Sequence, residues 1–378
     1  MVRHGSHASA PQGGVVKSLW VLCEEPAEYT LDKVRCVYSP LGVDVAWRRG
    51  TSDVSRAEAK DAFEGQSFLR QLARLVYVLC THEALVLNGF AGRVHWMCIL
   101  LNALLWHRAL GFAVDTQAGE SFQECCGRRR GAFRNFLRNA LLGWLFKRPY
   151  VYGLPGGSGS HVEFFRSHGM AAERIFVLPM VVAGARYRRR VPREEDGVVR
   201  FGYIGRLEER KRVAAALSAF FVCVCSGMKA EFEVVGDGPS RASLEDVFAH
   251  VPGVKFSGAL HGEAKVAALH RFDVLVLPSA YEPWGLVVNE ALEAGVPVIV
   301  SDRVGARKDL VEGERPTGLV VKVEEKGALL EAMKRLVCDA ALRAEMARAA
   351  EERMRGWSML QARSALERWL AFSLCTRH

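Results

Sequence analysis

The chain has 378 residues, long for one hydrophobic core and comfortable for two. Half of its residues are hydrophobic and its mean hydropathy is +0.04, which suits a globular protein; the formal charge of +9, with a pI near 9.1, attracts acidic partners such as nucleic acid, anionic lipid or phosphorylated substrates. Its ten cysteines are scattered, mostly inside apolar runs as at Cys23, Cys80, Cys98 and Cys338, a pattern of buried thiols in a reducing compartment; with no second half beside Cys125-Cys126 or Cys223 and Cys225, it argues against structural zinc.

Residues 1–14 are polar and Gly-rich without an apolar signal core, and are read as a disordered leader. Strands are expected at 18–23, 43–47 and 84–87, with a helix at 68–80 between the last two. The apolar run 96–106 is too short to span a bilayer and is flanked by Arg93, His95, His107 and Arg108, so it reads as a buried helix. A strand at 112–116 leads into Gln117, Gly119, Glu120 and Ser121.

The stretch 128–148 then interleaves seven basic residues, among them Arg128, Arg129, Arg130, Arg138, Lys147 and Arg148, with Phe136, Leu137, Leu141 and Trp144. Such a basic amphipathic segment fits an anionic membrane surface, or else packs as an ordinary helix with a charged outer face. Its aromatics sit with the aliphatics and not on a stacking platform, which disfavours nucleic acid. The segment 150–153, a Gly/Ser-rich turn at 156–160, a helix at 161–168 and a strand at 175–178 follow, and the charged stretch 184–197 reads as a linker.

A strand at 199–204 runs into Gly205-Arg206-Leu207 and Lys211, before a helix at 213–225. Arg206 and Lys211 therefore lie at the carboxyl end of a strand, where a diphosphate needs cations. Gly236-Asp237-Gly238-Pro239 follows a strand at 232–235 but lacks the third glycine and the acid of a dinucleotide fingerprint, so a nicotinamide enzyme is rejected. His261 and His270 have no partner ligands and read as structural or solvated.

The run 273–278 reads as a strand covered on both faces, 279–285 as a loop broken by Pro283 and Gly285, and the residues from Leu286 as a helix ended by Gly295 and Pro297. A strand at 296–300 comes next. Glu282 sits in the loop and Glu290 on the helix. Eight helical residues separate two carboxylates by about 12 Å, whereas glycosidase pairs work at roughly 5 to 9.5 Å. Two contacts to one long ligand, with the amides of 285–287 facing an anion between them, describe a nucleotide sugar. The stretch 328–371 is helical at periodic spacing, with a break at Gly356.

The motifs GYIGRLEERK, FEVVGDGP, VKFSGAL, DVLVLPSAYEPWGLVVNEALEAGVPVIVS and GLVV, in this order, resemble the donor-binding half of retaining GT-B glycosyltransferases of family 4, over about 198–355. The resemblance implies an α/β fold of two Rossmann-like domains facing a cleft: 15–183 on the acceptor side, the linker 184–197, 198–355 on the donor side, and a terminal helix, 356–378, packed back on the first domain with Trp357 and Trp369 as anchors. It implies that Glu282 contacts the donor sugar, that Glu290 hydrogen-bonds the ribose, and that Arg206 and Lys211 neutralise the diphosphate. Gly205 belongs to the same turn, the amides of Gly285, Leu286 and Val287 help hold the phosphates, and the Gly258-Ala259-Leu260 turn frames the base. No metal or other cofactor is implied.

Two features depart from the family. Glu24-Glu25-Pro26 follows the first strand where many members have a glycine-rich loop, and a branch of the family carries a proline and a tyrosine there. A histidine that follows the fourth strand in many relatives is absent, with Asp115, Gln117 and Glu120 in its neighbourhood. Glu120 is the candidate contact to acceptor or sugar, the alternative being a loop glutamate without a partner.

The expected activity is retaining transfer of a hexose-type sugar from a nucleoside-diphosphate sugar to a hydroxyl of a glycan or lipid-linked acceptor, in a bacterial surface polysaccharide or glycolipid. The expected location is cytoplasmic, peripheral on the inner face of the cytoplasmic membrane. A noncatalytic nucleotide-sugar-binding or scaffold protein, and a nucleotide-sugar epimerase, are the alternatives.

Overall fold

The computed structural model describes residues 19–24, 28–49, 62–90, 92–115, 117, 132–188 and 196–375. Glu120, Arg128 to Arg130, Cys125-Cys126, the leader and the middle of the expected linker lie outside the described residues. The chain forms two compact units, one running to Leu110 and taking in the chain end from Ser373, the other Gly111–Phe372.

The first sheet has five strands, β1 (Leu19–Cys23), β2 (Asp44–Trp47), β3 (Ala84–Asn88), β4 (Ala109–Val114) and β5 (Val151–Pro155), in the order β2-β1-β3-β4-β5. β1 runs parallel to both β2 and β3, with Trp20 opposite Asp44 on one side and Leu85 on the other. Every residue of β1 and of β5 is buried, as expected of strands covered on both faces.

The second sheet lies wholly in the second unit. Its six strands are β6 (Val199–Ile204), β7 (Ala230–Val235), β8 (Val254–Gly258), β9 (Val274–Leu277), β10 (Val298–Ser301) and β11 (Gly318–Val321), in the order β11-β10-β9-β6-β7-β8 with all neighbours parallel. The succession reverses between β6 and β9. In an open parallel sheet such a reversal leaves a crevice beyond the strand ends, because the connections on its two sides go to opposite faces. Gly202 in β6 lets Phe272 lie flat against the strand; a Cβ there would come within 2.1 Å of the ring. The helix Val213–Cys225 follows β6 and buries Ala216, Leu217 and Phe220 on the sheet, Phe220 meeting Phe232 edge-on.

Several expectations change in detail. Residues 175–178 are not a strand: Phe176 and Leu178 donate to Gly153 and Pro155 along β5, but the pairing reduces to a single bridge at Ile175 before Pro179 removes the next donor. The run 96–106 is a helix, Arg93–Leu101, closing in a wider turn at Asn102–Trp106; Leu100, Leu104 and Leu105 are exposed, so it is buried along one side only. Cys80 and Cys338 are exposed while Cys23, Cys98 and Cys223 are buried, and none of the described cysteines is bridged. The C-terminal helical stretch breaks at Asp339 as well as near Gly356, because the Asp339 carboxylate caps the helix Ala340–Arg355 by accepting from Leu342 N–H at 2.8 Å. Trp369 is buried and meets Tyr152 of β5 edge-on, whereas Trp357 stacks on Trp284 beside the loop after β9. No helix among the described residues is long and apolar enough to cross a membrane.

Candidate functional site

The site grows from the carboxyl ends of β6 and β9, the two strands flanking the reversal. After β6 the chain turns through Gly205, Arg206 and Leu207, and this turn is locked to the one after β7: Leu207 N–H donates to Asp237 O at 2.8 Å, and Ser240 N–H to Leu207 O at 2.9 Å. The approach is so close that a Cβ at Gly236 would lie 1.8 Å from Gly205 O, and one at Gly238 2.4 Å from Leu207 O. Both glycines also have φ in the range that side chains disfavour, +146° and +156°. The glycine pair that superficially invites a dinucleotide reading therefore serves backbone packing. Gly258, at φ +70°, continues the arrangement by accepting from Gly236 N–H at 2.7 Å, with Leu260 half-buried just beyond it.

Lys211 ends a short 3-10 turn, Glu209–Lys211, and is buried. Its ammonium is in close contact with Glu282 Oε2, which also accepts from Ser279 Oγ at 3.4 Å and has the Arg210 guanidinium at 4.0 Å. Arg206 is placed differently: its side chain is 69% exposed and pairs at 2.9 Å with Glu208, whose second oxygen takes Arg210 Nε at 3.1 Å. Thus Lys211 and Glu282 come together, while Arg206 stands at the solvent edge. Tyr203 donates to Arg206 O at 2.9 Å, and burial, with Glu282 and Glu208 adding to it, pushes its phenol far above the ordinary value, so it remains a neutral donor.

The loop from Glu282 to Gly285 is fixed from several sides within the same unit. Glu282 N–H donates to Arg303 O at 3.2 Å and its carbonyl accepts from Gly305 N–H at 3.0 Å. Gln117 Nε2 donates to Glu282 O at 2.7 Å, and the buried His161 places Nε2 2.9 Å from Pro283 O. Trp284 is buried, donates Nε1–H to Asn289 Oδ1 at 2.8 Å, and stacks on Trp357 at 5.7 Å between ring centroids. Asn289 in turn donates to Met180 O at 2.9 Å. Asp115 belongs to this neighbourhood: the residue is exposed, yet desolvation of its carboxyl raises the pKa, opposed by its own backbone hydrogen bond and by His161, with the Glu282 carboxylate adding to the rise.

Gly285 begins the helix Leu286–Glu293 in the left-handed region, φ +93°, a conformation that glycine adopts without penalty. The first-turn amides at Leu286 and Val287 have no acceptor within the helix, as in any helix start. Glu290 lies on the buried side of this helix. Its Oε1 accepts from Lys265 Nζ at 2.6 Å and from Tyr187 OH at 3.1 Å, whereas Oε2 is buried without a hydrogen-bond partner. A buried carboxylate oxygen left without a donor costs roughly 1 to 3 kcal/mol or more, so this atom stands out among the buried polar groups.

Lys265, Tyr187, Asn289 and His161 were not among the residues singled out by motif. Lys265 sits in the unremarkable helix Gly262–Leu269, and Tyr187 in one turn of helix, Gly184–Tyr187, inside the stretch expected as linker. His270, expected as structural or solvated, accepts or donates at 2.7 Å with Tyr187 O and so helps hold that turn. No three His, Cys, Asp or Glu side chains cluster as metal ligands among the described residues.

Two parallel-sheet α/β layers, the second carrying this loop set at its reversal point, define the GT-B fold. Among solved structures, Anabaena HepE in complex with UDP matches at a TM-score of 0.74 over 94% of this chain and 99% of that one, with 16% sequence identity. HepE has also been solved with UDP-glucose. Residues 187–353 match the family of glycosyl transferases group 1. Glycogen synthase of Mycobacterium tuberculosis is 30% identical over 195 residues, 51% of this chain and 47% of that protein. GDP-mannose-dependent alpha-mannosyltransferase of Mycolicibacterium smegmatis is 36% identical over 129 residues, 34% of this chain and 32% of that protein. The chain thus matches less than half the length of these relatives.

Proposed function

We propose that the chain is a glycosyltransferase that moves a hexose-type sugar from a nucleoside-diphosphate sugar to an acceptor hydroxyl with retention. The observation that carries this reading is a set of charged and polar groups gathered after β6 and β9: Lys211 paired with Glu282, the helix that starts at Leu286 just beyond, and on that helix Glu290, whose Oε2 has no partner. The donor's diphosphate meets Lys211, Arg206 and the amides of Leu286 and Val287. Its ribose donates to Glu290 Oε2, and its sugar lies against Glu282. As the bond from the anomeric carbon to phosphate breaks, negative charge grows on the leaving diphosphate, and preorganised cations and amides stabilise it more than they stabilise the ground state. The leaving phosphate takes the acceptor proton, so no protein group need do so.

Membrane apposition extends the proposal. The helix Ala132–Phe146 buries Leu142, Leu145 and Phe146 but leaves Phe136, Leu137, Leu141 and Trp144 exposed, with Arg148 over the Trp144 ring at 4.2 Å. Exposed apolar side chains beside arginines suit the headgroup region of an anionic bilayer and, with it, a lipid-linked acceptor on the cytoplasmic side.

The test is release of nucleoside diphosphate from UDP-, GDP- and ADP-sugars in the presence of bacterial glycolipid extract, with product anomers read by NMR. Turnover that disappears in Glu282→Gln supports transfer. Nucleotide binding without turnover of any donor would point to the scaffold reading, and inversion at the anomeric centre would remove the retaining mechanism.

A further inference from the structure

We infer that Lys265 and Tyr187 are positioning residues that fix which oxygen of Glu290 recognises the ribose, and so set the preference of this site for a nucleotide bearing ribose hydroxyls. The inference rests on the donor reading above and adds two residues that no motif marks. Their contacts converge on a single atom, Glu290 Oε1: Lys265 Nζ at 2.6 Å and Tyr187 OH at 3.1 Å. A carboxylate oxygen has about two lone-pair sites, so these two donors occupy Oε1 and leave recognition to Oε2. That oxygen is buried and has no partner.

Lys265 does more than fill a lone pair. Its ammonium, 2.6 Å from Oε1 on a side chain only 23% exposed, holds in one orientation a Glu290 side chain that is 8% exposed. Hydrogen bonds between charged groups are the strong ones, so an anchored Glu290 confers more discrimination than a mobile one. The Lys265 ammonium also lies 6.0 Å from the centre of the Tyr187 ring, which ties the two anchors together.

Tyr187 is itself held. Its carbonyl meets His270 Nε2 at 2.7 Å, and the turn Gly184–Tyr187 packs onto the helix Leu286–Glu293 so closely that a Cβ at Gly184 would fall 2.1 Å from Glu293 Oε1. The segment joining the two sheets thus takes part in holding the nucleotide-facing carboxylate.

The experiment compares affinities for UDP, GDP and ADP with those for their 2′,3′-dideoxy analogues by calorimetry, in wild type, Lys265→Met, Lys265→Arg, Tyr187→Phe and Glu290→Ala. Wild type should prefer the ribose form of its nucleotide on the order of tenfold to a hundredfold, the range of a hydrogen bond to a charged group. Lys265→Met should shrink that preference below about threefold, Lys265→Arg should restore most of it, and Tyr187→Phe should fall between. A merely structural lysine would lower thermal stability and leave the ratio alone. Retention of the full preference in Lys265→Met and Tyr187→Phe would overturn the inference while leaving the donor reading intact. Absence of any ribose preference in wild type would overturn both.

Discussion

Lys211 and Glu282 form a nearly dry ion pair at the centre of the proposed donor site, with side chains 11% and 12% exposed. Replacing Lys211 by Met keeps most of the side-chain volume but strands the Glu282 carboxylate, leaving it the long contact from Ser279 Oγ at 3.4 Å and the Arg210 guanidinium at 4.0 Å. Breaking a fully buried pair costs about 3 to 5 kcal/mol; with these residual contacts we expect about 2 to 3 kcal/mol. For a unit of this size that is a fall in Tm of about 5 to 10 °C. Glu282→Gln should cost about 1 to 2 kcal/mol by stranding the ammonium less severely, since Gln keeps an acceptor for it. The double variant removes both charges, so its loss should be smaller than the sum of the single losses by at least about 1 kcal/mol. Urea denaturation of the four proteins without nucleotide, followed by circular dichroism, measures the cycle. Additivity within about 0.5 kcal/mol would refute the reasoning.

Three further outcomes follow from other parts of the molecule. Gly236→Ala would drive a Cβ to 1.8 Å from Gly205 O, so the turns after β6 and β7 must part; a loss of about 3 kcal/mol in thermal denaturation is expected, and a loss under about 0.5 kcal/mol would show the turns to be pliable. Glu293 is held protonated to higher pH than usual by burial, against the opposing Arg188, and a raised carboxyl pKa means that the folded state binds the proton more tightly than the unfolded chain. Its contribution to stability is therefore complete below the ordinary value of 4.5 and is lost as pH rises through the folded pKa, so Glu293→Gln should gain on wild type from pH 4 to pH 8; parallel stability curves would contradict this. Finally, Phe136→Asp with Trp144→Asp should abolish sedimentation with phosphatidylglycerol vesicles while leaving the far-ultraviolet dichroism unchanged, and undiminished binding would sink the membrane extension.

Much of the second sheet is legible from sequence because its strands are short apolar runs ending in glycine or proline. β6 spans Val199–Ile204 and the following helix Val213–Cys225, as the pattern predicts, and the helix after Gly285 starts at Leu286. Glu282 and Glu290 are legible for the same reason: a carboxylate just beyond a buried strand, and another one helix further on, break an otherwise apolar pattern. Lys265 is not legible, since a lysine on a surface helix has no local signature and its meaning depends on Glu290, 25 positions away. Tyr187 is hidden by its charged neighbours, which make its turn look like linker. The extended segment near Ile175 misleads in the opposite way, because β-branched residues signal extension but only the donors and acceptors of β5 decide whether a strand forms. Arg206 shows the same dependence: sequence places it at the strand end, and Glu208 decides where its guanidinium points.

The central claim is that this chain binds a nucleoside-diphosphate sugar through Glu290 and Lys211. Thermal stabilisation by UDP, GDP, ADP and their sugars, in wild type and in Glu290→Ala, tests it most directly. A ligand at a hundred times its Kd stabilises the native state by about 2.7 kcal/mol, a rise of roughly 5 to 10 °C. The account predicts such a rise with one nucleotide family in wild type and its loss in Glu290→Ala; no rise with any of them at millimolar concentration, or an equal rise in both proteins, would contradict it.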